Sequence, residues 1–399
     1  MRQDLLIIGI DGGATKVSAW TVDQQEDGTF ELGNQNVQKQ YSEYKYYDPN
    51  FKPVDLNIQL KEMETGIHLT PAENRQGLAY MYAAADVIIE LAKTNPGKDV
   101  LIGIGMPGLK TKDKRGISVL ANGPRLPEYA SIIENRIMLH DVELASPIHH
   151  IGSDADYCGI GEEYSSQGSF RGVENSYYLG GGTGVADALK LRGKLVPFDA
   201  IKLWMAKTWE MKVKNGKSLE RYCSASGIQD IYSEYSGISI PDLNTLKIYA
   251  PQIMEKALQG EEAAIKTMKD VSFYLAELLF ERISTLYAGY QGKFDFVNPE
   301  RAPLIPHHPY QGTLLDRLVI GQRLGDYLEE SRGKNQMWEP MLQHLSELVS
   351  ENEMMAKEFK SYYLKEDTFN DKRIVLSKLR EAPAMGAAVD AWLCWKGEN

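Results

Sequence analysis

The chain of 399 residues is poor in cysteine: Cys158, Cys223 and Cys394 stand far apart and form no CxxC pair. Neither a disulfide framework nor a cysteine zinc site follows from them, and a reducing cytoplasm is the expected setting. Positive charge is also in deficit, with 44 Lys and Arg against 55 Asp and Glu, a formal net charge of −11. A nucleic-acid backbone needs a basic face, so no nucleic-acid partner is expected. No apolar run approaches the roughly 18 residues of a membrane span. The run at residues 5–10 ends in Asp11 without a small-residue cleavage site, and reads as a first strand rather than a signal peptide. Low-complexity blocks and the GxxxxGK[ST] spacing of a Walker loop are missing as well.

What is present is a repeated pattern. The length favours two domains, or a duplicated one. LLIIGIDGGATKVSAW reads as strand, glycine turn, strand, and SYYLGGGTGVADALKL repeats that arrangement in the second half. The polar segment 23–33 reads as a loop or hairpin end. Residues 37–75, with Tyr41, Tyr44, Tyr46, Tyr47, Pro49 and Pro53, read as an irregular insertion. Apolar spacing predicts a helix over 71–93, stopped by Asn95-Pro96-Gly97. A buried strand then runs from residue 99 into a glycine turn, and SPIHHIGSDADYCGIGEEY reads as strand into helix. Helical periodicity covers 251–290; 314–328 reads as strand, glycine turn, helix; 337–363 is polar and helical. The chain closes with a strand and a small-residue helix. Strands alternating with helices in each half predict α/β architecture.

Three places carry candidate chemistry. In GIDGGATK, Asp11 at a strand end is suited to orienting a hydrated Mg²⁺, while Thr15 and Lys16 offer a hydroxyl and a cation to phosphate oxygens. A plain Asp-Gly hairpin turn explains the same residues. The run LGGGTGV demands close approach or unusual dihedrals, or else is a flexible hairpin. Asp154 follows a strand end, where a carboxylate can accept a proton from a substrate hydroxyl; alternatively it, or Ser153, caps the next helix. The pairs His149-His150 and His307-His308 are adjacent, and neighbours on a strand point to opposite faces, so neither pair chelates a metal by itself. HHPY reads as an exposed loop.

The ordered set GIDGGATK, GIGMPG, SDADYCGIGEE, LGGGTGVADALKLRGKL, NGKSLERYCSASG, RLVIGQRLG and IVLSKLREAPAMGAAVDA resembles the ROK family, sugar kinases of the actin–hexokinase–Hsp70 ATPase superfamily. The resemblance implies two ribonuclease-H-like lobes, residues 1–152 completed by 384–399 and residues 153–383, with ATP in a cleft between them and a sugar deeper inside. It implies Asp154 as the base that deprotonates a sugar hydroxyl, and Asp11 as an acid associated with Mg²⁺ through water. Gly12, Gly13, Thr15 and Lys16 match the first phosphate loop, and Gly181, Gly182 and Thr183 the second. Gly321 and Gly325 resemble the turn flanking adenosine. Asn122, Ser153 and Glu220 match sugar-contacting positions; the family usually has Asn where this chain has Ser153. The family's Glu-x-Gly-His and cysteine-rich zinc motifs have no counterpart in LVPFDAIKLWMAKTWEMKVKNGKS, so no structural zinc is expected, and Trp204 and Trp209 there either line a pocket or pack. No helix-turn-helix precedes Leu5, which sets the repressor branch aside. The expected activity is ATP-dependent phosphorylation of a hexose or N-acetylhexosamine by a cytoplasmic enzyme. Residues 37–75 and 337–372 either support a homodimer or decorate the lobes. The alternatives are a non-catalytic sugar or nucleotide sensor, and an actin-like ATPase acting on a protein partner.

Overall fold

The computed structural model describes residues 5–397 and divides into two compact units, Met1–Gly168 with Glu381–Asn399, and Ser169–Arg380. In the first unit, β1 (Leu5–Gly12) pairs antiparallel with β2 (Lys16–Gln24), which pairs antiparallel with β3 (Phe30–Gln40). On its other side β1 runs parallel to β4 (Asp99–Gly105), and β4 parallel to β5 (Ile151–Gly152), giving the order β3-β2-β1-β4-β5. The strand β3 lies where the sequence reads as a loop end and then an insertion. Its exposed and half-buried positions carry Asn and Gln, so an edge strand here lacks the alternating apolar signal that burial on one face imposes.

One face of this sheet packs Leu6, Ile8, Ile10, Ile102 and Ile104 into a core shared with α2 (Pro71–Lys93), which follows α1 (Leu56–Thr65). The start of α2 is fixed by Thr70, whose hydroxyl accepts from the Glu73 amide (3.1 Å) while the Glu73 carboxylate accepts from the Thr70 amide (3.0 Å). A further helix, α3 (Tyr129–Met138), closes that side.

The opposite face carries Ile7, Gly9 and Asp11 by strand alternation, and it is covered by the C-terminal helix Ala382–Lys396. The two glycines make this possible: a methyl group at Gly9 would lie 1.8 Å from the Ala384 carbonyl oxygen, and one at Gly103 1.8 Å from that of Ala387. The small residues of APAMGAAVDA allow helix and sheet backbones to touch. Against the same helix lies α4 (Asp154–Tyr164), whose Tyr157 donates its phenol proton to Asp390 (2.9 Å). That packing moves the unit boundary from the expected 152/153 to 168/169, because α4 completes the first unit instead of opening the second. The second crossing falls at 380/381 in place of 383/384.

The second unit repeats the topology. Here β6 (Ser176–Gly181) pairs antiparallel with β7 (Val185–Leu191), which pairs with β8 (Lys194–Leu195). Parallel to β6 runs β9 (Arg317–Gly321), and beside it β10 (Ile374–Leu376), for an order β8-β7-β6-β9-β10. Its helices include α5 (Ala225–Ser236) and α6 (Glu262–Ala288), then α7 (Gln322–Glu330) and α8 (Trp338–Glu351). The periodicity of 251–290 is broken once, at Gly260, whose φ of 94° ends the helix Ala250–Leu258 before α6 begins. No described helix is long and apolar enough to cross a membrane.

Candidate functional site

The strand ends of the first unit bring Asp11 and Asp154 together through register alone. Asp11 pairs with Gly105, Gly105 with Gly152, and Asp154 follows two residues later at the start of α4. The third member of the group is Glu381, at the N-cap of the C-terminal helix. Burial, then the charges of Asp154 and Glu381, push the Asp11 carboxyl up to about 7 from its ordinary 3.8, with Lys16 opposing. A cation bound at Asp11 would favour its ionised form. Ser153 occupies the N-cap of α4 without spending its hydroxyl on the cap, which leaves that group available to a ligand. Nothing in the isolated motif REAPAMG marks Glu381 as a partner of Asp11; the signal is the close packing of glycine and alanine around it.

Gly12 and Gly13 lead into a turn held by two tyrosines. The Gly13 carbonyl accepts from the Tyr41 phenol (3.1 Å), the Ala14 carbonyl from the Tyr80 phenol (2.9 Å), and the Thr15 carbonyl from the Tyr41 amide (3.0 Å). The two rings stack 3.7 Å apart. Burial raises both phenols, Tyr80 to about 12, so they stay donors at neutral pH. With these carbonyls engaged, the amides of Ala14 and Thr15 find no hydrogen-bond partner among the described residues. Thr15 is exposed, and the Lys16 ammonium donates to Gln38 on β3 (2.6 Å). Of the tyrosine cluster in residues 37–75 it is Tyr41 that braces the loop, together with Tyr80 of α2.

The second glycine turn is built the same way. The Gly182 carbonyl accepts from the Ala225 amide (2.8 Å), the Thr183 carbonyl from the Ser226 hydroxyl (2.6 Å), and the Gly184 carbonyl from the Gly182 amide (3.0 Å). The amides of Thr183 and Gly184 have no partner among the described residues. Close approach, not positive φ, demands the glycines: a methyl at Gly181 would meet the Cys223 carbonyl oxygen at 2.4 Å, and one at Gly182 the Gln322 side-chain oxygen at 2.4 Å. Glu220 accepts from the Val185 amide (3.0 Å), so this carboxylate is tied to the loop itself rather than to the surface of a helix. Burial raises it above the ordinary carboxylate range.

Other expected residues are placed differently. Gly321 ends β9, whereas Gly325 lies within α7, so the two share no turn. Between them Gln322 adopts φ 57°, a left-handed conformation that costs about 1–3 kcal/mol in a residue other than glycine. Sequence reasoning passed over Gln322, and only the strand-to-helix step beside it hints at strain. Asn122 sits in an exposed turn of the first unit. Its flanks are fixed: Gln59 of α1 exchanges hydrogen bonds with the Leu120 backbone (2.8 and 3.2 Å), and buried Arg125 pairs with Glu73 (2.8 Å) and Glu62. Trp204 is buried and stacks on His308 at 4.0 Å, while Trp209 is half exposed. The HHPY segment is a loop with His307 and Pro309 exposed, as expected, but His308 is buried and its imidazole bonds the Thr285 carbonyl (2.9 Å).

A five-stranded mixed sheet in the order 3-2-1-4-5, built twice with a hairpin turn at the same place in each copy, defines the class: two ribonuclease-H-like α/β units. The sequence matches no protein-family model and no curated protein. Among solved structures, a ROK-family glucokinase from Streptomyces griseus, solved with glucose and AMPPNP, is similar at 16% identity over 97% of this chain and 99% of its own, TM-score 0.54. A ROK hexokinase from Thermus thermophilus is similar at 15% identity over 98% and 99%, TM-score 0.54. A ROK-family transcriptional regulator, a homologue of the E. coli MLC protein, is similar at 12% identity over 99% and 80%, TM-score 0.53. The chain has the fold of the ROK sugar kinases, as the motif resemblance implied.

Proposed function

We propose that the protein is a sugar kinase, transferring the γ-phosphoryl group of ATP to a hydroxyl of a hexose or N-acetylhexosamine. The observation that carries this reading is the matched construction of the two glycine turns. In each, three carbonyls are tied back into the protein and two successive amides are left, which is how backbone binds a phosphate. Beside the first turn stand Asp11 and Asp154. Asp154, held at the start of α4, accepts the proton of the attacking hydroxyl. Asp11, with Glu381 near it, would hold Mg²⁺, which when bound neutralises phosphate charge. Ser153 and the Asn122 turn are the sugar-facing groups in this reading, with Glu220 holding the second turn in shape.

The test is steady-state ATP consumption across a panel of hexoses and N-acetylhexosamines, with Asp154→Asn beside the unaltered chain. The substitution is expected to lower kcat by about 10²–10⁴-fold, the worth of a positioned base, with nucleotide affinity nearly unchanged. An Asp154→Asn chain that turns over sugar at the full rate sinks the reading. Ser153, where the resemblance has Asn, favours one second reading, a sugar sensor without turnover. It predicts saturable sugar binding with no sugar-dependent ATP consumption by the unaltered chain.

A further inference from the structure

His150, Asp390 and Cys394 meet in the first unit although 244 positions separate His150 from Cys394. Asp390 and Cys394 are four residues apart on the C-terminal helix and so share one face. His150 immediately precedes β5. Its Nε2 lies 2.7 Å from the Asp390 carboxylate, and its Nδ1 lies 4.0 Å from the Cys394 sulfur. Choosing one donor atom from each side chain, all three fall within 4.8 Å of one another.

We propose that these three side chains form a binding site for a divalent transition metal of the zinc class, with solvent in the fourth position. The donor set argues the class: one thiolate, one imidazole and one carboxylate match a borderline-soft ion, not Mg²⁺ or Ca²⁺, which take oxygen alone. Ligand bonds of about 2.0–2.3 Å put tetrahedral donors roughly 3.5 Å apart. To reach that spacing the partly exposed His150 and Cys394 side chains would rotate inward. The least mobile ligand is Asp390, which is buried and already accepts from the Tyr157 phenol at 2.9 Å. That hydrogen bond falls on the same Asp390 oxygen that faces His150 and fixes the orientation of the carboxylate. The expectation that no structural zinc is present rests on a cysteine-rich motif missing elsewhere in the chain; this site uses none of that segment. Its effect would be to pin the C-terminal helix to the residue just before β5, the strand leading to Asp154.

The test needs no activity assay. The full chain, in excess Mg²⁺ to fill oxygen-only sites, is titrated with Co²⁺ and then Zn²⁺ while absorption is followed. One equivalent of Co²⁺ is expected to give an intense thiolate-to-cobalt charge-transfer band that Zn²⁺ displaces. Cys394→Ser is expected to abolish the band, Cys158→Ser to leave it, and Tyr157→Phe to weaken affinity about 10–100-fold, the usual effect of removing such a hydrogen bond. A chain that shows no thiolate band, or a band that survives Cys394→Ser, overturns the proposal.

Discussion

At the scale of single residues, the molecule carries one costly group where its chemistry is proposed to occur. Asp11 keeps its proton to about 7 in the folded chain, against an ordinary 3.8. Between those values the folded state holds a proton that the unfolded state has released, so stability from this residue falls as pH rises through the window. Asp11→Asn removes the dependence. The variant is expected to gain on the unaltered chain as pH climbs from about 4 to about 7, by up to roughly 4 kcal/mol across that span, and then to level off. Denaturant unfolding at a series of pH values, with chelator present, reads the difference directly. A gap that stays constant across the window means that Asp11 is not buried among like charges. Added Mg²⁺ is expected to stabilise the unaltered chain and not the variant, since a cation held by Asp11 binds only the folded form.

At the scale of elements, what the sequence made legible was local. The helix Pro71–Lys93 follows from its apolar spacing and the Asn-Pro-Gly stop, and both glycine hairpins follow from apolar runs broken by turn residues. Illegible was whatever depends on a partner far along the chain. The polar edge strand Phe30–Gln40 has no periodic apolar face, and Tyr41 reveals its purpose only when its phenol meets the Gly13 carbonyl. Gly103 is a similar case: inside a strand it reads as a weakness, yet it is the contact surface for the C-terminal helix. Gly103→Ala is expected to lose about 1–3 kcal/mol of stability, because helix and strand backbones must separate. Gly13→Ala is the control, since its added methyl meets the nearest atom at an ordinary 3.5 Å. It is expected to change stability by no more than about 0.5 kcal/mol. Equal losses from the two, measured by thermal unfolding, would contradict this close packing.

For the whole molecule, the duplicated topology hides an asymmetry of chain connectivity. The second unit is one continuous segment, Ser169–Arg380, with all five strands of its sheet and a core of its own around Tyr177, Leu179, Leu318, Ile320 and Ile374. The first unit is interrupted: it needs Glu381–Asn399 to cover the face that holds Ile7 and Leu101. Those two side chains are buried, and full burial of each is worth about 1.5–3 kcal/mol, to which the last helix contributes. Removal of residues 381–399 is therefore expected to unfold the first unit while leaving the second intact. Hydrogen exchange followed by mass spectrometry should show β1, β2 and β4 losing protection while β6, β7 and β9 retain it. A segment expressed as residues 169–380 alone should unfold cooperatively with denaturant. If the truncated chain keeps protection in β1 and β4, the last helix does not carry the first unit's packing, and the glycines that admit it need another explanation.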